Sequence, residues 1–205
     1  AKHEIGGILA DDMGLGKTIQ VLALLANRNS KLPSLVLAPK SLIFNWQNEA
    51  AKFTPHLKVL VYAGNSRHEL LKLIPKYNIV LATYQTLRND IEAFQKQNFQ
   101  YLILDEAHNL KNAHSQITMA AKLLTAEKKI ALTGTPIENS LMDLFSILSV
   151  VTPGLITDTQ AQKWVKEANP ETIGRLSRAL TPFVLRRTKE QVLKDLPEKT
   201  EQVLY

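Results

Sequence analysis

Two observations predict an α/β fold with a mainly parallel sheet covered on both faces. Short apolar runs alternate with helix-period stretches through the first two-thirds of the chain, and the spacing leaves room for a helical crossover between strands. The composition is that of a full-sized globular domain: 205 residues, 45% hydrophobic and 21% charged.

The strands come in order. Ile8-Leu9-Ala10, 35–38, 59–62, 79–84, 101–104 and 130–132 read as buried strands. Residues 18–27, 42–53, 67–74, 85–94, 114–124 and 140–150 read as helices. After Thr152-Pro153-Gly154 the character changes. Residues 159–181 read helical and more polar, broken at Asn169-Pro170, and Pro182 to Leu185 is a short apolar run before Arg186-Arg187-Thr188-Lys189. The reading therefore divides the chain into a lobe over 1–152 and a small helical extension over 153–205 that begins a connection to something further. The last residues alternate like the start of a strand, as in a chain cut from a longer one.

Charge and cysteine usage narrow the function. The net charge is +6, of which +4 lies in residues 163–199, with nine Lys or Arg against five Asp or Glu. That bias alone is weak support for a polyanionic partner. With no Cys, disulfide scaffolds, Cys-ligated zinc, iron–sulfur clusters and thiol catalysis are excluded. The five histidines show no metal-ligand spacing, and no serine sits in a nucleophile elbow. The longest uncharged stretch, 144–157, has 14 residues and contains Pro153-Gly154, too short and too broken to span a bilayer. The amino-terminal residues carry no signal-peptide pattern, so the expectation is a soluble, intracellular protein with no membrane partner.

Two motifs carry chemistry. Ile8-Leu9-Ala10 runs into Asp11-Asp12-Met13-Gly14-Leu15-Gly16-Lys17-Thr18 and then a helix. Apart from Asp11 in place of the first glycine, this is the phosphate-loop pattern G-x-x-x-x-G-K-[ST]. Gly14 and Gly16 let the backbone wrap its N–H groups around phosphate, and the helix start adds its positive end. Lys17 is placed for the β- and γ-phosphates of ATP and the Thr18 hydroxyl for Mg²⁺. The expected nucleotide contacts are Asp12, Met13, Gly14, Leu15, Gly16, Lys17, Thr18 and Ile19. Eighty-eight positions after Lys17, the apolar run Tyr101 to Leu104 ends in Asp105-Glu106-Ala107-His108. Adjacent carboxylates at a strand end diverge, so Asp105 suits the metal while Glu106 polarises the attacking water. Lys17 and Glu106 are thus the candidate catalytic residues, and Thr18 and Asp105 the Mg²⁺ ligands.

With both motifs in view, the chain resembles the Swi/Snf family of superfamily II helicase-like ATPases along nearly its whole length. Leu9 to Thr18 resembles motif I, where an acidic pair before Met-Gly-Leu-Gly is usual. Leu37-Ala38-Pro39-Lys40-Ser41-Leu42, with Asn45-Trp46 and Glu49, resembles motif Ia, and Leu81-Ala82-Thr83-Tyr84 resembles motif Ib. Asp105 to Asn112, a DEAH box with trailing Lys-Asn, resembles motif II. Leu132-Thr133-Gly134-Thr135-Pro136-Ile137-Glu138-Asn139 resembles motif III. Leu185 to Lys189 and Asp195-Leu196-Pro197-Glu198-Lys199 resemble the segment closing the first lobe.

The resemblance implies a three-layer RecA-like P-loop NTPase lobe that uses ATP and Mg²⁺. In the whole protein it implies translocation along double-stranded DNA and remodelling of nucleosomes or other DNA-bound complexes, in a nucleus or in a bacterial cytoplasm or nucleoid. It also implies a second RecA-like lobe carrying arginine fingers. Nothing here matches that lobe, so the chain alone is expected to hydrolyse ATP very slowly. The family's Gln-containing adenine segment lies upstream of motif I, where this chain begins.

Residue roles follow by the same resemblance. Lys40, Ser41 and Thr83 would face the DNA backbone; helix capping by Ser41, with Lys40 solvated, is the competing reading. Thr133 and Thr135 would sense the γ-phosphate and couple to His108. Trp46 lies on a Leu42, Trp46, Ala50, Phe53 stripe and reads as core. Arg186, Arg187 and Lys189 read as a DNA or partner contact, as a brace between lobes, or as a solvated face. Two rival functions stand beside the remodeller: an Asp-Glu-Ala-His-type strand-separating helicase, and a nucleotide- or DNA-binding module with little turnover.

Overall fold

The computed structural model describes residues 6–27, 30–134, 141–167 and 169–192. Its centre is a sheet of seven strands: β1 (Gly7–Leu9), β2 (Ser34–Ala38), β3 (Val59–Val61), β4 (Ile79–Thr83), β5 (Phe99–Leu104), β6 (Ala126–Leu132) and β7 (Val184–Leu185). The order is β3-β4-β2-β5-β6-β1-β7, and every pair is parallel.

Strand periodicity explains the three layers. Successive side chains of a strand point to opposite faces. On one face Val36, Ile79, Leu81, Ile103 and Leu132 pack with Val21, Leu22 and Leu25 of helix α1 (Lys17–Ala26) and Trp46 and Ala50 of α2 (Lys40–Phe53). On the other face Leu35, Leu37, Val80, Leu102 and Leu104 pack with α3 (Tyr84–Asn89), α5 (Gln116–Leu123) and α6 (Leu141–Val151). All five residues of β2 are buried, as a strand covered on both faces requires. The α/β lobe expected from the sequence is the observed one. No helix among the described residues is long and apolar enough to cross a membrane.

Local chemistry shifts some expected boundaries. The single helix expected over 85–94 is two, α3 and α4 (Ile91–Phe94), broken at Asp90. Asp90 is buried and bound by Arg67, with Nε at 2.5 Å from Oδ2 and Nη2 at 2.9 Å from Oδ1, and by the Tyr62 hydroxyl at 3.2 Å. Holding that carboxylate fixes the break. The stretch 67–76 is a 3-10 helix with Pro75 inside it. Strand β6 starts at Ala126, four residues before the apolar run, because Glu127 and Lys128 are exposed and hide the pattern.

The extension needs a correction. Helices α7 (Asp158–Lys166) and α8 (Pro170–Leu180) are present, capped by Thr157 and Asn169. The chain then returns to the sheet, where Val184 and Leu185 pair with Ile8 and Leu9. Residue 152 is therefore not an end of the sheet. A two-residue strand whose Leu185 is 54% exposed has no periodicity to read. The run 195–199 lies outside the described residues.

Candidate nucleotide site

A parallel sheet gathers the loops that follow its strands along one edge. Here that edge brings together Asp11–Lys17 after β1, Pro39–Ser41 after β2, Thr83 at the end of β4, Asp105–Glu106 after β5 and Thr133 after β6. The acidic strand and the P-loop strand each flank β6.

The P-loop is built on two left-handed glycines, Gly14 at φ 86° and Gly16 at φ 74°. Gly16 is the N-cap of α1 and brings no side-chain hydrogen bond to the helix start, which leaves the first-turn N–H groups for an anion. The Lys17 ammonium donates to the Asp11 carbonyl at 2.7 Å and the Asp12 carbonyl at 3.2 Å. Met13, Gly14 and Ile19 are exposed, while Asp12, Leu15, Gly16, Lys17 and Thr18 are half-buried. The loop thus has one face on the protein and one open.

Asp105 is 7% exposed and held from three directions. The Trp46 indole N–H donates to Oδ2 at 2.7 Å, the Glu106 N–H donates to Oδ1 at 2.9 Å, and the Tyr84 hydroxyl donates to the Asp105 carbonyl at 2.7 Å. Burial pushes the Asp105 carboxyl above the usual range, against the pull of the Trp46 and Glu106 hydrogen bonds and of the nearby Lys17 charge. The core reading of Trp46 holds at 1% exposure. What the stripe does not reveal is its polar end, aimed at the candidate metal ligand. Burial and the adjacent carboxylates likewise drive the Tyr84 phenol well above its ordinary value.

Glu106 is the one non-glycine residue with positive φ among the described residues, at φ 49°, ψ 56°. That conformation costs about 1–2 kcal/mol for an L-residue. It turns the chain sharply after the strand, so the two carboxylates part. The Glu106 side chain meets His108 Nδ1 at 3.2 Å.

The remaining candidates fall as follows. Thr133 is buried, and its N–H donates to the Leu9 carbonyl at 3.1 Å, joining the ends of β6 and β1; Thr135 lies outside the described residues. Lys40 and Ser41 are exposed in the first turn of α2, whose N-cap is Pro39, so Ser41 does not cap it. The Thr83 hydroxyl does cap a helix: it accepts from the Thr86 N–H at 3.0 Å and pairs with the Thr86 hydroxyl at 2.8 Å. Arg186 and Lys189 are exposed. Arg187 is not part of a free charged face, because its guanidinium binds the buried Asp11 carboxylate at the root of the P-loop. The sequence reading missed this pair, and missed Gln20, which donates to Asp11 Oδ2 at 3.2 Å.

The chain is similar to known proteins along its whole length. A family model described as SNF2-related domain matches residues 1–205. An uncharacterized ATP-dependent helicase of Mycoplasma genitalium is 41% identical over 211 residues, covering 99% of this chain and 20% of that protein. Helicase ssl-1 of Caenorhabditis elegans is 40% identical over 224 residues, covering 99% of this chain and 9% of that protein. Among solved structures, the Sulfolobus solfataricus SWI2/SNF2 ATPase core in complex with dsDNA superposes with a TM-score of 0.85 at 38% identity, over 94% of this chain and 42% of that one. The chain thus spans a fifth or less of these two relatives and under half of the solved core.

Proposed function

The chain belongs to the SNF2-related domain family, and from that premise we propose that it is the ATP-binding lobe of a DNA-dependent ATPase that moves along duplex DNA. The observation that carries the proposal is the meeting, at one edge of the sheet, of a P-loop lysine and a turned pair of carboxylates, on strands that each flank β6.

The side chains divide the work. The first turn of α1, with Lys17, binds the phosphates of ATP and offsets their charge. Glu106 takes the proton of the attacking water, and its turned backbone sets it apart from Asp105. His108, against Glu106, orients that carboxylate and couples it to motion. The Thr18 hydroxyl and the Asp105 carboxylate would supply oxygen donors to a Mg²⁺ ion, which prefers oxygen ligands. When bound, that ion neutralises charge on the β- and γ-phosphates.

The Sulfolobus core is similar to this chain and was solved in complex with dsDNA. By analogy the exposed Lys40 and Ser41 contact the phosphate backbone, without reading sequence. Thr83 contributes through the helix it caps. In the whole protein a second RecA-like lobe completes the site, and the work is done on a nucleosome or another DNA-bound complex inside the cell.

In the full-length protein, Lys17→Ala is expected to lose nucleotide affinity, and Glu106→Gln to keep ATP binding while losing turnover. Duplex DNA should stimulate turnover without strand separation. Unchanged turnover in Glu106→Gln would overturn the assignment of the base.

A further inference from the structure

The P-loop is gripped by the far end of the described chain. Past β7, the Ala10 N–H donates to the Leu185 carbonyl at 2.7 Å and the Asp12 N–H to the Arg187 carbonyl at 3.1 Å. The Lys189 N–H donates back to Asp12 Oδ2 at 3.0 Å. Between them Arg187 closes on Asp11, which has no solvent exposure. Its Nε and its own backbone N–H each donate to Oδ1 at 3.1 Å, and Nη2 donates to Oδ2. Nη2 also donates to Gln20 Oε1 at 2.6 Å, and Gln20 in turn donates to Asp11 Oδ2 and to the Leu15 carbonyl. Burial alone would raise the Asp11 carboxyl; the Arg187 and Gln20 hydrogen bonds and the Arg187 charge outweigh it and hold the group below the usual range.

The two residues gripped in this way are the two whose carbonyls receive the Lys17 ammonium. We propose that Arg187 is a positioning residue for nucleotide binding: by fixing Asp11 and Asp12 it sets the carbonyl pair that aims Lys17 and the path of the loop through Gly16. This inference rests on the nucleotide reading of the P-loop.

Three features separate positioning from mere attachment. The strap is already fastened to β1 by the strand ladder and by the bond from Ala10. An ion pair whose guanidinium is 41% exposed is a weak source of net stability. Its planar fork instead fixes direction, binding both carboxylate oxygens at once. Gln20 then ties the same guanidinium to the far side of the loop at Leu15. The strap also leaves the Lys189 ammonium over the loop, where a methyl on Gly14 would sit 3.9 Å from it.

The test uses the full-length protein with Arg187→Lys, Asp11→Asn, the double variant, and Lys17→Ala as reference. The readouts are affinity for a fluorescent ADP with Mg²⁺, well below the melting temperature, the thermal midpoint without nucleotide, and KM and kcat for ATP. Arg187→Lys keeps the charge and loses the fork. It and Asp11→Asn should each weaken nucleotide binding about tenfold, with the double variant no weaker than the worse single, because they break one coupled unit. KM for ATP should rise more than kcat falls. Gln20→Leu, which leaves the ion pair in place, should show the same effect at about threefold, so the inference does not depend on Arg187→Lys folding well. Affinity within about twofold of the parent in Arg187→Lys and Asp11→Asn, or effects that simply add, would overturn it while Lys17→Ala still loses binding. Should Lys17→Ala retain full affinity, the nucleotide reading falls, and this inference with it.

Discussion

Replacing Trp46 with Phe would remove one of the two hydrogen bonds received by the Asp105 carboxylate. The indole N–H meets Oδ2 at 2.7 Å in a buried setting. A hydrogen bond to a charged acceptor contributes about 1.5–3 kcal/mol. Trp46, on α2, is 1% exposed in the apolar cluster that includes α1 and sheet residues. A phenyl ring would leave part of the indole volume empty, at a further cost of about 1–2 kcal/mol on the scale of large-to-small core changes. Together the two losses predict about 2.5–5 kcal/mol of destabilisation. A double-mutant cycle with Asp105→Asn separates them. Packing is lost equally in both backgrounds, whereas the hydrogen bond falls to the neutral value of about 0.5–1.5 kcal/mol once the acceptor is an amide. A coupling of about 1–2 kcal/mol should therefore remain. Hydrogen-exchange protection of the β5 amides reports the stability of this lobe within the full-length protein. Additivity within about 0.5 kcal/mol, or a total loss below about 1 kcal/mol, would refute the reasoning. Turnover in Trp46→Phe should also require more Mg²⁺.

Two further predictions concern backbone and charge. Glu106→Gly and Glu106→Ala both remove the side chain and with it turnover, but glycine accepts φ 49° freely, so Glu106→Gly should be the more stable by about 1 kcal/mol in thermal unfolding; equal midpoints would show that the left-handed turn carries no strain. Asp90 is held below the usual carboxylate range, first by the Arg67 hydrogen bonds, against the opposing cost of burial. Its stabilisation is complete above the unfolded value of about 3.9 and is lost as pH falls through the lower folded value. The gap between the parent and Asp90→Asn should therefore be widest near neutrality and close below about pH 4, and a gap that does not change with pH would count against the ion pair.

Legibility in the sequence followed how local each signal was. The P-loop and the Asp105-Glu106 strand end were readable because their geometry is set by contiguous residues on a strand followed by a turn. The core strands were readable because both faces are buried, which leaves an unbroken apolar run. Trp46 was half legible: helical spacing shows that it is buried, but not what its N–H meets 59 positions away. The pairing of Arg187 was not legible because its partner stands 176 residues earlier, and because a short strand among charged residues carries no period. In the sequence Thr83 reads only as facing the DNA backbone, because its use as a cap depends on α3 starting at the very next residue.

The placement of β7 also orders events during synthesis. Among the described strands β1 leaves the ribosome first, yet both of its neighbours, β6 and β7, are made more than a hundred residues later. At about 5–20 residues per second, the 176 positions from Asp11 to Arg187 take roughly 10–35 s to translate. Throughout that interval the nascent chain carries an unpaired strand edge and an acidic pair without its guanidinium. The strands β2 to β5 can assemble as each is made, so the strand of this sheet written first is the one finished last. A chaperone that meets this chain on the ribosome would find the exposed edge at β1.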